Sequence, residues 1–296
     1  MKVAITGASG FIGRPLAQRL QQAGHTVLRI GRAGGGARPD IAWDARRTLD
    51  AAALEGVDAV IHLAGESLAQ RWTPATRAAI RDSRVEGTQL LARTLAALSR
   101  RPAVMVSMSA TGLYGNRGDE PLDETAAPGT GFLAEVAQAW EGAADPARAA
   151  GIRVVHPRLG IALSPEGGAL AKLLPVFSWG AGGAIAGGRQ WMSWISRTDT
   201  LRALEFVLAT EALAGPVNLV APVPVTNAEF TAVLASVLRR PAIAPVPAFA
   251  IRLLYGEMGQ ATVIDGQRVL PARLQGAGFT FHHPTLEQAL RAELGR

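Results

Sequence analysis

At 296 residues and 48% hydrophobic composition, the chain has enough material for one large domain, or for a large and a small one sharing a cleft. The net charge is +6, yet the arginines are scattered singly, some beside acids as in Arg81-Asp82, and no basic run carries interleaved aromatics, so nucleic-acid binding is not expected. Cysteine is absent, which excludes disulfides, thiolate metal sites and cysteine nucleophiles.

Apolar periodicity divides the first 160 residues into alternating strands and helices. Residues 2–6 form a short buried strand, Phe11 to Ala23 a helix ended by Gly24, and Thr26 to Ile30 a second strand, with a weaker one at Asp40 to Trp43. Asp58 to Leu63 is a clear strand, and Thr73-Pro74 opens a long helix to Leu98 with a cap and a proline at its first position. Ala103 to Ser109 is a strand, Leu133 to Ala150 a helix and Ile152 to Leu159 a further strand. The alternation predicts an α/β fold, a Rossmann-type doubly wound parallel sheet over residues 1–160. After Gly160, loops rich in glycine and proline separate helices at Thr198 to Thr210, Asn227 to Arg239 and Thr285 to Leu294. Residues 161–296 are therefore expected to form a smaller substrate-covering region, discontinuous and partly returning to the sheet.

The first strand begins at Lys2, and the longest apolar stretch, Leu170 to Gly188, is interrupted by Lys172 and Pro175. Neither a leader nor a membrane span is expected, which points to a cytoplasmic location. Among the histidines, His25, His156 and the pair His282-His283 lack ligand spacing with an acidic or histidine partner, so no metal is expected. Nothing in the sequence sets an oligomeric state.

Thr6-Gly-Ala-Ser-Gly-Phe-Ile-Gly13 lies between a buried strand and an amphipathic helix, where a dinucleotide-binding loop belongs. Gly7 allows the tight turn, Gly10 the approach of a pyrophosphate and Gly13 close packing of helix on sheet, while the helix start offers N–H groups to phosphate. Thr6, Gly7, Ser9, Gly10, Phe11, Ile12 and Gly13 are thus candidate cofactor contacts. Sites that prefer NAD carry an acid at the end of the second strand, ~20 residues beyond the loop. Here that strand ends Leu28-Arg-Ile-Gly-Arg32, and a guanidinium at Arg32 in place of the acid suits a 2′-phosphate. NADP(H) is the expected cofactor.

With Thr6 to Gly13, His62-Leu-Ala-Gly65, Ser107-Met-Ser-Ala-Thr-Gly-Leu-Tyr-Gly115, Arg158-Leu-Gly160 and Trp194-Ile-Ser-Arg-Thr-Asp199, the chain resembles the extended and atypical branches of the short-chain dehydrogenase/reductase superfamily. It is most similar to the epimerase-family group labelled nucleoside-diphosphate sugar epimerase. That likeness is carried by Gly65-Glu66, Arg71-Trp72-Thr73, Ser83-Arg84, Phe132-Leu-Ala-Glu135, Trp140-Glu141, Gly187 to Ile195, Pro271-Ala-Arg-Leu274 and Gly278-Phe279. The resemblance implies an extended Rossmann fold and an oxidoreductase or epimerase-like activity. By the same resemblance, Leu63, Ala64 and Gly65 join the cofactor contacts.

The superfamily's usual engine is a tyrosine four residues before a lysine, the lysine lowering the phenol's pKa. Here the tyrosines are Tyr114 and Tyr255, followed four residues on by Gly118 and Gly259, so the pair is missing. The sugar-nucleotide anchors of extended epimerases are replaced by Met192 and Ile161. The resemblance brings Ser109 or Thr111 to the nicotinamide, and it leaves Tyr114 open between a structural phenol and a proton donor lining the cleft. Glu66 is a further catalytic candidate, at the carboxyl end of the strand Asp58 to Leu63. Arg71 and Trp72 in the same loop, Glu135 in the helix that replaces Tyr-Lys, and Arg189 are candidate substrate contacts, whereas His62 reads as a satisfied core histidine. Two functions stay open: an NADP-dependent enzyme acting on a small carbonyl or hydroxyl compound, or a non-catalytic NADP(H)-binding protein that senses redox state.

Overall fold

The computed structural model describes residues 1–32, 39–44 and 48–296. Its central sheet has nine strands and runs, edge to edge, Gly215–Leu219, Arg153–Leu159, Val104–Ser107, Ala59–His62, Lys2–Thr6, Thr26–Gly31, Ile41–Asp44 and Thr48–Leu49, with Ser109–Ala110 continuing beside Arg153–Leu159. Every pair is parallel except the last, Ile41–Asp44 with Thr48–Leu49. Ala59–His62 and Val104–Ser107 are buried at every position, as expected of strands covered by helices on both faces. Two apolar clusters fill those faces, one around Val3, Ile5, Leu16, Ile61 and Val106, the other around Ala4, Val60, Leu91, Leu95 and Met105.

From Lys2–Thr6 the chain goes to Thr26–Gly31 on one side and later returns to Ala59–His62 on the other, so the strand order reverses there. In such sheets the crevice at the carboxyl ends of these two strands is where ligands bind. Their register sets Thr6 beside His62, and His62 beside Ser107.

Two features differ from the sequence reading. The expected helix Leu133 to Ala150 is two helices, Phe132–Gly142 and Asp145–Ala149, because Pro146 cannot donate into a continuing helix and opens a new one. Helices Gly168–Ser178 and Ala248–Gly259 lie in stretches to which the sequence reading assigned no element. The first hides behind its glycines and an internal Pro175. In the second, Phe249, Leu253, Leu254 and Tyr255 are all exposed, so its apolar residues do not trace a buried stripe.

Beyond residue 160 a separate core forms around Leu163, Leu170, Phe177, Trp194, Phe230, Leu234 and Leu290. Short strand pairs tie it together, Ile161–Leu163 with Trp194–Ser196 and Trp191–Met192 with Val225–Thr226. The chain re-enters the large sheet at Gly215–Leu219. Among the described residues no helix is long and apolar enough to cross a membrane.

Candidate functional site

The glycine loop closes on itself through a Gly10 N–H to Gly7 carbonyl bond of 2.9 Å. A Cβ at position 13 would run into the Gly7 carbonyl, so only glycine lets the helix Gly13–Gln22 start this close beneath the loop. No side chain caps that helix at Ile12; in its first turn Arg14 N–H is bonded to the Gly10 carbonyl at 3.0 Å and Pro15 has no N–H, which leaves the N–H of Gly13 to solvent or to an anion. Ser9 and Gly10 are exposed, and Phe11 is half-buried under Gly167 and Gly168, with the Arg197 guanidinium 5.7 Å from its ring. The region beyond residue 160 thereby covers one flank of the loop. Arg32 is exposed just past the strand Thr26–Gly31.

Thr6 joins this loop to the next one. Its hydroxyl oxygen accepts the N–H groups of Leu63 (3.1 Å) and Ala64 (3.2 Å) and lies 2.7 Å from His62 Nδ1. His62 Nε2 is 2.9 Å from Thr88 Oγ1. The imidazole is fully buried, and burial, with a smaller push from the charge on Arg84, lowers its pKa to about 4. It is a neutral core histidine.

The hydroxyls expected at the reaction centre are turned inward. Ser109 is 3% exposed and donates to Glu141 Oε1 at 2.7 Å. Glu141 also takes both Nε and Nη2 of Arg158, at 2.8 and 2.9 Å. Arg158 Nη1 donates to the Tyr114 hydroxyl at 2.9 Å, and that hydroxyl donates to Asn218 Oδ1 at 2.7 Å. Burial works to raise the Glu141 pKa, but the bonds and charge of Arg158 outweigh it and the carboxyl ends below its ordinary value. Burial raises Tyr114 despite the opposing Arg158. Tyr114 has no exposed surface, and Thr111, in the same turn, is buried. Of the two readings left open for Tyr114, its burial favours the structural phenol: in this fold it is a buried strut between Arg158 and Asn218. Ser109 likewise presents no free hydroxyl.

The loop after Ala59–His62 stays open to solvent. Glu66 is exposed, its N–H donating to Ser83 Oγ (3.0 Å) and its carbonyl accepting from Arg84 Nη1 (3.0 Å). Trp72 donates its indole N–H to the Leu68 carbonyl and meets Phe132 edge-on, with ring centroids 5.0 Å apart. The Arg77 guanidinium sits 4.3 Å from the Phe132 centroid and pairs with Glu257 at 2.7 Å. Arg77, Arg81, Phe132 and Glu135 line an open groove of about 300 Å³. Trp72 and Glu135 are thus gathered around Phe132, with exposed Arg71 on the same loop as Trp72. Arg189 is exposed next to Gly188, and no contact among the described residues ties it to this loop. Met192 and Ile161, at the anchor positions, pack against the second core.

Sequence reasoning gave no role to Glu141, Arg84, Arg77 or Glu257. The segments Ser83-Arg84 and Trp140-Glu141 stood out only as shared motifs, and their contacts depend on how two helices cross the sheet.

The fold and this crevice define a nucleotide-cofactor protein of the atypical short-chain dehydrogenase/reductase, epimerase-like class. Residues 3–219 match the NAD dependent epimerase/dehydratase family, and residues 246–293 match a domain of unknown function, DUF1731. The chain belongs to the NAD dependent epimerase/dehydratase family. An epimerase family protein of Mycobacterium bovis is 44% identical over 290 residues, covering 97% of this chain and 96% of its own. The chloroplastic SDR39U1 homologue of Arabidopsis thaliana is 37% identical, covering 99% of this chain and 86% of its own. Among solved structures, human epimerase family protein SDR39U1 with NADPH superposes with a TM-score of 0.90 at 31% identity, each chain covered in full. A nucleoside-diphosphate sugar epimerase from Corynebacterium glutamicum gives 0.82 at 36% identity, covering 100% of this chain and 58% of that one.

Proposed function

We propose that this chain binds NADP(H) in the crevice between the glycine loop and the loop Leu63–Gly65, and that it acts there as an oxidoreductase or epimerase-like enzyme on a small carbonyl or hydroxyl compound, without a lysine-activated tyrosine. The observation that carries the reading is the cradle itself: a loop closed so tightly that a Cβ at position 13 cannot fit, an uncapped helix start behind it, and exposed Arg32 where an NAD site would hold an acid. The human relative's structure with NADPH supports the same cofactor.

The residues that hold the group are Thr6 to Gly13 for the pyrophosphate, Arg32 for the 2′-phosphate and the turn Leu63–Gly65 fixed by Thr6. Reduced cofactor bound there supplies a hydride. The chain's own part is to orient, to exclude water and to manage a proton. With Tyr114 and Ser109 buried, the proton-handling group is Glu66, the exposed carboxylate next to this turn, and Trp72 and Glu135 face the substrate. Met192 and Ile161 leave a sugar nucleotide without its polar anchors, so the substrate is a smaller molecule.

The test is a screen of carbonyl metabolites for oxidation of NADPH, followed at the reduced-nicotinamide absorbance and repeated with Glu66→Gln. A turned-over compound whose rate falls about 10²–10⁴-fold in Glu66→Gln supports the reading. Full activity in that variant contradicts the role of Glu66. NADPH binding without oxidation by any compound favours the sensor alternative.

A further inference from the structure

Two segments hold nearly all the large apolar side chains that the fold leaves in water. They are residues 168–188, with helix Gly168–Ser178, and residues 237–256, which include most of helix Ala248–Gly259. Trp179, Ile243, Phe249, Leu253 and Leu254 are between 69% and 88% exposed, and Val176 and Tyr255 are exposed beside them in the chain. Among the described residues, only Met1 and Val223 are exposed large hydrophobics outside these segments. The segments run side by side: Ala244 N–H donates to the Gly182 carbonyl at 3.1 Å and Val246 N–H to that of Ala184 at 2.9 Å. A Cβ at Gly180, next to Trp179, would come 3.1 Å from Pro241 Cγ. On helix Ala248–Gly259 only Ile251 and Gly259 are buried, and Phe249 and Leu253, four positions apart, share the face away from Ile251.

The charges of the two segments are of one sign. Lys172, Arg239, Arg240 and Arg252 are all exposed, and neither segment contains an aspartate or a glutamate. Arg252 gives Nε to Gln260 at 2.8 Å, and no ion pair among the described residues engages Lys172, Arg239 or Arg240.

We propose that this face docks on an anionic lipid surface, as a peripheral contact and not as a span. Folded monomers rarely leave so many large apolar side chains together in water, so the face has an occupant. Trp, Phe and Leu side chains set among arginines and a lysine are the composition that lies in the headgroup region, with the apolar groups entering the acyl boundary and the cations meeting lipid phosphates. The long cationic stems let each charge stay in the headgroups while its methylenes lie along the apolar side chains. Charge decides between occupants. A second copy seated face to face would set cations against cations, with no carboxylate from either segment to receive them, whereas an anionic bilayer supplies the missing counter-charge. None of these residues belongs to the proposed cofactor or substrate groups, so the docking face stands independently of them.

The experiment is cosedimentation of the full chain with phosphatidylcholine vesicles containing about one third phosphatidylglycerol, and with phosphatidylcholine alone. The protein should sediment with the first and stay in solution with the second, and about 0.5 M NaCl should weaken binding by roughly tenfold or more. The pair of substitutions Leu253→Ser and Leu254→Ser, and separately Trp179→Ser, should each weaken binding by roughly tenfold, while melting temperature and NADPH affinity stay at wild type because the side chains are in water. Joint replacement of Arg239, Arg240 and Arg252 by Gln should remove the preference for phosphatidylglycerol. Absence of binding to the anionic vesicles, equal binding to both lipids, or full binding by both apolar variants overturns the proposal. So does a concentration-dependent dimer in sedimentation velocity without vesicles, if Leu253→Ser with Leu254→Ser abolishes it, since the face would then belong to a second copy. If that pair of substitutions does not fold, Trp179→Ser carries the comparison.

Discussion

Thr6 donates its hydroxyl proton to His62 Nδ1, because the same oxygen already accepts the N–H groups of Leu63 and Ala64. The proton of the imidazole is therefore on Nε2, where it is donated to Thr88 Oγ1. One neutral histidine thus fixes the hydroxyl that shapes the turn beside the glycine loop.

The neutral state of His62 gives a pH dependence with a definite sign. Its pKa is 6.5 when exposed and about 4 when folded, so the unfolded chain takes up the proton first as pH falls. The stabilisation is fully present above about pH 6.5 and is lost as pH falls from there towards 4, amounting to on the order of 3 kcal/mol. Urea unfolding at pH 7 and pH 4.5 should show this loss in wild type and a smaller one in His62→Gln. Equal losses in the two proteins would show that His62 is not the titrating group.

Glu141 and Arg158 form a bidentate pair with side chains 15% and 8% exposed. Breaking such a pair from one side leaves a buried charge, which costs about 3–5 kcal/mol. Glu141→Ala should lower the unfolding free energy by that amount, measured in urea at neutral pH. A change under about 1 kcal/mol would mean that water reaches Arg158 freely.

Tyr114→Phe removes one bond to Arg158 and one to Asn218, so it should destabilise by about 1–3 kcal/mol. Because the phenol is buried, NADPH affinity and any turnover measured below the melting transition should stay close to wild type. A hundredfold fall in turnover with stability retained would restore it as a proton donor.

What was legible in the sequence was local in the chain. The glycine loop and the strand ends are recognisable because a strand, a turn and a helix start follow one another within a dozen residues. The contacts that decide Tyr114 were not legible, since Arg158 and Asn218 reach it across two neighbouring strands from 44 and 104 positions away. The contacts of Arg84 were hidden for a related reason, since only the crossing of its helix sets it against Trp140 and Gly65. Helix Ala248–Gly259 was missed because most of its large apolar residues face solvent and Ile251 is buried without a stripe around it, the reverse of the pattern that marks a buried helix.

Common nucleotide sugars should not be substrates. Met192 and Ile161 pack into the second core and offer a diphosphate no charged partner. Incubation with UDP-glucose, followed by chromatography, should show no UDP-galactose beyond the level without protein. Interconversion at ordinary enzymatic rates would contradict the assignment of a smaller substrate.

The most direct test of the account is calorimetric titration of the wild-type protein with NADPH and with NADH. A charge-assisted bond to the 2′-phosphate, which the proposed site assigns to Arg32, is worth about 1.5–3 kcal/mol. NADPH should therefore bind tenfold to a hundredfold more tightly, and Arg32→Ala should remove most of that difference while leaving NADH affinity unchanged. Equal affinities for the two cofactors in the wild type, or binding of neither, would contradict it.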